Sequence, residues 1–313
     1  MKLVMSCGNA NVDIFMVVDD FPRTDQEVIA RDLYVMMGGS AANFAVALSK
    51  LGTPTCFVGC IGDDELGKEF IKDLELNNVR TKYVIKIPER GTGRVFILVK
   101  ASTGEKVMVA YRGANECLSA ELFPSALFEE ARHFHISSVP PDKAQNFLRA
   151  AKDKGISTSY DPGGYAAKGF DAFKDVFPYV NILFLNRIEA KMISGAEDLN
   201  SSAKRLVKEG VDIVTIKLGD KGSMSSDGKR TFYVQAFKVP VIDTTGAGDV
   251  FDAGFVYGYL MGLEFEECLT LGNIVACLKI MRKGARASPN LSEVITFALD
   301  KELFNIVSRL RGQ

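Results

Sequence analysis

Short apolar runs alternate with longer amphipathic stretches along most of the chain, and this alternation restricts the fold more than any other feature. Val4–Cys7, Thr55–Cys60, His133–Ser137, Ser157–Tyr160, Ile182–Leu185 and Ile213–Lys217 read as buried strands. Ala41–Leu51, Glu65–Leu76, Asp142–Lys154, Glu189–Ile193 and Ala203–Lys208 carry helical patterns between them. Strand–helix alternation predicts βαβ units, hence an α/β chain with a doubly wound, mostly parallel sheet flanked by helices. Two stretches break the rhythm. Val12–Val18 with Glu27–Met36, and Gly93–Val99 with Lys106–Tyr111, read as strands with no helix between them; Ala101–Gly104 is a turn signal. They predict a small antiparallel β-sheet, built from residues 12–36 and 93–111 and inserted as a lid in a single domain of residues 1–313. Such a lid would cover a ligand site and exclude water.

Charge and cysteine content narrow the partners. Lys and Arg number 38 against 39 Asp and Glu, a net charge of −1. That balance supports binding neither to nucleic acid nor to an anionic membrane. The longest charge-free stretch, Leu33–Ser49, has 17 residues and contains Gly38, Gly39, Ser40 and Asn43. It falls short of the ~20 apolar residues of a membrane helix. Met1–Gly8 turns polar too early for a signal peptide and reads as a first strand. Cys7, Cys56, Cys60 and Cys277 sit among apolar residues, where a thiol behaves as a small hydrophobe. No second Cys/His pair stands at zinc spacing from Cys56 and Cys60. The expectation is a cytoplasmic protein with reduced thiols.

Several motifs have plain structural readings. Gly62 to Lys68 has P-loop spacing, but Glu69 stands where a Ser or Thr would ligate Mg²⁺, and its charge would repel phosphate. The segment reads instead as a strand–helix corner with Asp63 or Asp64 as cap. Gly91-x-Gly93 precedes a strand, not a helix, so it fails as a dinucleotide fingerprint. His133 and His135 share one face of a strand with no acid or Cys nearby, which favours a buried or edge position over a metal site.

The run Asp243-Thr244-Thr245-Gly246-Ala247-Gly248-Asp249, directly before the apolar helical stretch Val250–Leu263, is different. It follows the strand-like Thr231–Val241. Small residues let backbone N–H groups crowd a ligand, and a helix N-terminus adds partial positive charge; together they make an anion site. A capped turn alone leaves its two carboxylates unexplained.

With these segments taken in order, the chain resembles the ribokinase-like carbohydrate kinases, the PfkB family. Gly38-Gly39-Ser40-Ala41-Ala42-Asn43 resembles the family's N-terminal glycine signature, and Asp161-Pro162-Gly163 its D-P-N segment with Gly163 in place of Asn. Asn186-Arg187-Ile188-Glu189 matches N-x-x-E, and Lys217 to Gly222 resembles the glycine turn on the nucleotide side. Asp243–Asp249 is similar to the C-terminal signature, and Arg282-Lys283-Gly284-Ala285 to the segment after it. The resemblance covers nearly the whole chain.

The resemblance implies phosphoryl transfer from ATP to a hydroxymethyl group of a sugar-like acceptor, with Mg²⁺. Asp249 would be the catalytic base, and Gly246, Ala247 and Gly248 would offer N–H donors to the migrating group. Asn186 and Glu189 would face the phosphates, Glu189 acting on Mg²⁺ through water. Asp13, Gly38, Gly39 and Asn43 map onto the acceptor site. Lys217, Gly219, Gly222 and Asn273 map onto the nucleotide site. Asp243, Thr245 and Ser288, with carbonyls of Arg282–Gly284, map onto a monovalent-cation (K⁺) site of some members. A homodimer through the lid is also implied.

Arg94 and Arg112 follow from the residues themselves. Antiparallel pairing of the lid strands would bring the two guanidiniums near one site, suiting a carboxylate or phosphate on the acceptor; alternatively they are solvated strand-end arginines. The acceptor classes left open are a neutral sugar, a keto-deoxy sugar acid, a sugar phosphate and a nucleoside. ATP is the family's usual donor, with ADP left open. Two further classes compete: a nucleotide-dependent dehydrogenase, which lacks its fingerprint, and a catalytically silent sugar-binding relative.

Overall fold

The computed structural model describes residues 2–311. The strands are β1 (Leu3–Gly8), β2 (Asn11–Val18), β3 (Asp32–Gly38), β4 (Thr55–Gly62), β5 (Arg80–Ile87), β6 (Gly93–Lys100), β7 (Lys106–Tyr111), β8 (Ala131–Ser137), β9 (Ser157–Asp161), β10 (Ile182–Asn186), β11 (Ile213–Lys217), β12 (Ser223–Ser226) and β13 (Thr231–Val234). The helices are α1 (Ser40–Lys50), α2 (Glu65–Leu76), α3 (Ala126–Glu129), α4 (Pro141–Asp153), α5 (Arg187–Ser194), α6 (Leu199–Lys208), α7 (Ala247–Leu260), α8 (Phe265–Ile280), α9 (Leu291–Asp300) and α10 (Phe304–Arg311).

The large sheet runs β13-β12-β11-β10-β9-β8-β1-β4-β5. Its strands from β11 to β5 are parallel, and β12 and β13 add an antiparallel end. Side chains alternate across it, as the pleat requires. Val4, Ile182 and Phe184 pack with α1, α7 and α8; Met5, Leu183 and Leu185 pack with α4, α5 and α6. Burial on both faces explains why these strands read as unbroken apolar runs. Fully burying a residue such as Phe44, Phe134 or Phe184 contributes roughly 1.5–3 kcal/mol.

The small sheet runs β3-β2-β6-β7. It consists of two antiparallel pairs, β2–β3 and β6–β7, set side by side through a parallel β2–β6 contact. The chain visits α1, β4, α2 and β5 between the two pairs, so β6 comes back beside β2 in the same direction.

Local departures from the sequence reading have local causes. The strand expected over 27–36 starts only at Asp32, after a largely exposed stretch. The strand expected over Thr231–Val241 stops at Val234. There Asn273 Nδ2 takes the carbonyls of Val234 and Gln235 at 3.2 and 3.4 Å, and Pro240 further along has no N–H to donate. Two strands went unread: the edge strand β5 fully buries only Tyr83 and leaves Val84, Ile85 and Ile87 half-buried among charged residues, and β12 is a run of serines around Met224.

Candidate active site

From β1 the sheet grows one way to β4 and β5, and from β8 the other way to β9, β10 and β11. The carboxyl ends of β1 and β8 therefore flank the point where the winding reverses, the usual place for a ligand in such sheets. A cavity of about 650 Å³ lies there. Asn9, Ser40 and the turn Thr244–Asp249 line it from the large sheet's side; the small sheet supplies Asp13, Arg94 and Lys106 from the other.

Asp249 sits in the first turn of α7 and lines this cavity. Asn43 Nδ2, from α1, donates to its Oδ2 at 2.8 Å. Burial pushes the Asp249 carboxyl up to about 6, against the Asn43 hydrogen bond, which holds it down. A carboxylate with that pKa is poised to exchange a proton near neutral pH. Asn43, expected on the acceptor, is thus seen to orient Asp249. Of the three turn residues expected to donate N–H groups, Ala247 is committed to the Thr244 carbonyl at 3.1 Å. The N–H groups of Gly246 and Gly248 have no protein partner among the described residues, as befits a helix start.

Asp13 lines the same cavity from β2. Burial raises its carboxyl to about 6, opposed by the Arg286 guanidinium. Gly38 explains how the carboxylate fits: a Cβ there would stand 2.3 Å from Asp13 Oδ2. Gly39, beside it, also borders the cavity. Arg286 was not foreseen. It donates to the Gly38 carbonyl at 2.9 Å, reaches Asn43 Oδ1 at 3.5 Å and pairs with Asp73, so it ties α1, α2 and the end of β3 together behind the site.

Arg94 and Arg112 both line the cavity, joined by Lys106 from β7. Arg94 pairs with Asp64 at 3.0 Å, while its buried Nε has no partner among the described residues. Arg112 lies over the Tyr165 ring, 5.3 Å from its centroid. The register of β6 and β7, with Arg94 opposite Tyr111, brings the two arginines to the same end of the small sheet. Asp64 is also the cap of α2, accepting from Gly67 N–H at 2.9 Å, which bears out the corner reading of Gly62–Lys68.

A second cavity, of about 710 Å³, lies beyond the turn. Thr244, Ala247 and Gly248 line both cavities, so the turn is the wall between them. Lys217, Gly219, Gly222 and Asn273 all line the second. Asn273 spends its side chain on Ser223, Val234 and Gln235 and so holds the cavity's edge. Lys217 Nζ donates to Asp161 at 2.6 Å and to Asp252 at 3.0 Å. Burial alone would lower the Lys217 pKa, but these two carboxylates drive it above the ordinary value. Burial pushes Asp252 well above the carboxylate range despite Lys217. Asp252 was missed; a lone acid inside the apolar stretch after Asp249 was its signal.

Asn186 and Glu189 form a capping box at the start of α5. Asn186 Oδ1 accepts from Ile188 and Glu189 N–H, and Glu189 Oε2 accepts from Asn186 N–H at 2.7 Å. Asn186 borders a shallower cavity shared with Lys217 and Gly219. Burial, and then the Asp161 charge, raise the Glu189 pKa. One Glu189 oxygen stays outside the box.

Asp243 closes its own turn: Oδ1 accepts from Thr245 N–H at 2.9 Å and Oδ2 from Gly284 N–H at 2.8 Å. Ser288 Oγ is buried with no partner among the described residues. His133 and His135 are buried on Ser157 and Ser159 hydroxyls, and burial lowers both pKa values. Cys7, Cys56, Cys60 and Cys277 are buried, and burial raises their thiol pKa values. No helix among the described residues is long and apolar enough to cross a membrane.

Comparisons with known proteins agree with this fold. The family model described as pfkB family carbohydrate kinase matches residues 1–291. An ATP-dependent ribose-1-phosphate kinase of Halopiger xanaduensis is 31% identical over 302 residues, 96% of this chain and 99% of the relative. A ribokinase of Haemophilus influenzae is 28% identical, over 95% of this chain and 98% of its own. Among solved structures, Arabidopsis thaliana ribokinase complexed with ribose and ATP superposes with a TM-score of 0.86 at 27% identity, covering 94% of this chain and 98% of that one.

Proposed function

The chain belongs to the pfkB family of carbohydrate kinases, and from that premise we propose that it moves the γ-phosphoryl group of ATP to a hydroxymethyl group of a sugar that already bears an anionic group. One observation carries the reading. The turn before α7 walls two cavities at once, and the polar one holds Asp249 on one side and three cationic side chains on the other.

In this reading the nucleotide lies in the larger, more apolar cavity, with its phosphates at the turn and Lys217. The acceptor lies in the polar cavity. Its hydroxymethyl oxygen gives its proton to Asp249 and bonds to the γ-phosphorus, while the bond from that phosphorus to the β-bridging oxygen breaks and ADP leaves. Gly246 and Gly248 N–H groups hold the migrating oxygens, where fixed donors act more strongly than water. The remainder of the catalysis is positioning and charge compensation. Mg²⁺ is carried by phosphates with one or two carboxylates, and the free Glu189 oxygen suits it, through water; bound there, it would screen the triphosphate charge.

Arg94, Lys106 and Arg112 favour an acidic acceptor over a neutral sugar or nucleoside. A planar guanidinium matches a carboxylate or phosphate with two parallel hydrogen bonds. The ribose-1-phosphate kinase relative is consistent with this preference. A nucleotide-turnover assay with a panel of sugar phosphates, keto-deoxy sugar acids, neutral sugars and nucleosides tests it. The expected result is turnover with ATP and Mg²⁺ on an anionic sugar at the highest kcat/KM. A neutral sugar or nucleoside as best acceptor refutes the acidic preference, and no turnover on any of them refutes the kinase reading.

The lid's outer face supports a homodimer. Leu33, Val35, Phe96, Val107 and Val109 are exposed, and the strand pairing sets them in two cross-strand rows with Ile14, Met16 and Leu98. An apolar face of this kind is a natural surface for a second copy. Sedimentation analysis should find a dimer that Val35→Asp with Val109→Asp converts to monomer; a monomeric parent protein refutes the assembly.

A further inference from the structure

The family resemblance implies a potassium ion at Asp243, Thr245 and Ser288 with carbonyls of Arg282–Gly284, and the surroundings of the Asp243 carbonyl do not fit one. The Asp243 carbonyl oxygen is already taken by a cation that belongs to the chain: Lys279 Nζ donates to it at 2.7 Å and stands 3.9 Å from Asp243 Oδ2. We propose that Lys279 is a built-in cation of the anion-binding turn, so that this enzyme neither needs nor binds a monovalent ion there.

The placement is strongly constrained. Lys279 is the penultimate residue of α8, and its side chain is wholly buried. Lysine is almost never fully buried without a partner, and a buried charge needs compensation. The next residue fixes the geometry: the Ile280 carbonyl at the end of α8 accepts the N–H groups of Ile242 and Asp243 at 2.8 and 3.1 Å. The segment entering the turn is therefore bound to the helix terminus from which the lysine springs. A basic residue in a last helical turn also meets the negative end of the helix dipole.

The ammonium acts on the turn through one peptide unit. Its oxygen faces Lys279, and its N–H belongs to Thr244, which lines both cavities. A cation on the oxygen polarises that peptide toward the anion side. Asp243, meanwhile, spends both carboxylate oxygens on Thr245 and Gly284, which holds the turn against the 282–288 segment. A metal ion on the same carbonyl would meet the ammonium's like charge, and the lone Ser288 hydroxyl does not replace the oxygen that Lys279 holds. Lys279 is a positioning residue: it touches the turn and not the reacting atoms.

The test uses two readouts, and only the second rests on the kinase reading above. Thermal unfolding and acceptor turnover are measured in potassium chloride and in tetramethylammonium chloride of equal ionic strength. The wild-type protein should unfold at the same temperature in both salts and turn over within about twofold. Loss of a charged hydrogen bond corresponds to roughly ten- to hundredfold, so Lys279→Ala should lose turnover by about that factor in the organic salt. Potassium or ammonium, small enough to enter the vacated place, should restore part of both turnover and unfolding temperature; Lys279→Arg should need no ion. If Lys279→Ala does not fold, the wild-type ion series and Lys279→Arg decide. A wild-type unfolding temperature that rises saturably with potassium overturns the proposal. So does a folded Lys279→Ala protein whose unfolding temperature is indifferent to potassium. Should no acceptor be turned over, the unfolding data still decide the matter.

Discussion

Asp249→Asn separates the two demands placed on this carboxylate. As a base it must lose its proton; as a buried group it is penalised for doing so. Its pKa is raised from 3.8 to about 6 by burial. A carboxyl whose folded pKa is raised binds more protons folded than unfolded between those two values. Its contribution to stability is fully present below 3.8 and is lost as pH rises through 6. A shift of about two units at 1.36 kcal/mol each makes the ionised Asp249 a liability of up to about 3 kcal/mol above pH 6. The asparagine has nearly the same shape and its amide oxygen can still accept from Asn43, so it removes the charge and keeps the contact.

The expected result is an inactive, more stable protein. Removing a general base lowers kcat by about 10²–10⁴-fold. For 313 residues the unfolding entropy is about 0.7 kcal/mol per kelvin, so the variant's Tm should exceed the parent's by up to about 4–5 °C at pH 8. The two Tm values should converge as pH falls toward 4. Parent kcat should rise with pH through about 6 and then level. Turnover by a folded Asp249→Asn protein near the parent's rate refutes the base, and a Tm gap of the same size at pH 4 and pH 8 refutes the electrostatic account of its pKa.

Other perturbations address other parts of the site. Arg94→Ala and Arg112→Ala should each raise KM for an anionic acceptor about ten- to hundredfold with kcat less affected, and leave a neutral sugar unchanged; steady-state kinetics on both acceptors decides. Gly222→Ala should destabilise the protein by more than about 1 kcal/mol, because its φ is +96° and a Cβ would stand 2.0 Å from the Val234 carbonyl; chemical denaturation measures this. Acceptor binding should slow amide exchange in β2, β3, β6 and β7 relative to the free protein, and identical exchange in both states counts against a closing lid.

Much of the fold was legible because both faces of the large sheet are dry. A strand such as Ile182–Leu185 is apolar at every position, and the amphipathic helices on either side mark themselves by period. An edge strand interrupted by Arg80, Lys82 and Lys86, and a strand with serines inside, gave no unbroken apolar run, which is why Arg80–Ile87 and Ser223–Ser226 went unread. At the site, the residues that stand in motifs were legible, and Asp13, Asp249, Arg94 and Arg112 do meet at one cavity. Their pairings were not. Asn43 reaches Asp249 across 206 positions and Arg286 reaches the Gly38 carbonyl across 248. Contacts of that separation exist only once the chain is folded. Lys279 and Asp252 left a trace, as isolated charges within the apolar runs of α8 and α7, but nothing in the sequence says which group each will face.

The distribution of cations leaves burial free to raise Asp249, like Asp13 across the cavity, to a pKa near 6. An acid beside an anion-binding turn is surrounded by positive groups, and a guanidinium or ammonium in contact would hold it ionised and weakly basic. Three cations around the turn are instead engaged elsewhere. Lys217 lies between Asp161 and Asp252, Arg286 between Asp73 and the Gly38 carbonyl, and Lys279 on the Asp243 carbonyl. Asp249 has no cation within ion-pair distance among the described residues, and its hydrogen-bond donor is the neutral Asn43 amide. Asp161, which does touch Lys217, shows the alternative: burial raises its pKa, yet the ammonium and its other hydrogen bonds bring it below the ordinary carboxylate value. Two neighbouring carboxylates are thereby driven in opposite directions. Of these two, Asp249 lines the polar cavity, and it is the one able to take a proton near neutral pH.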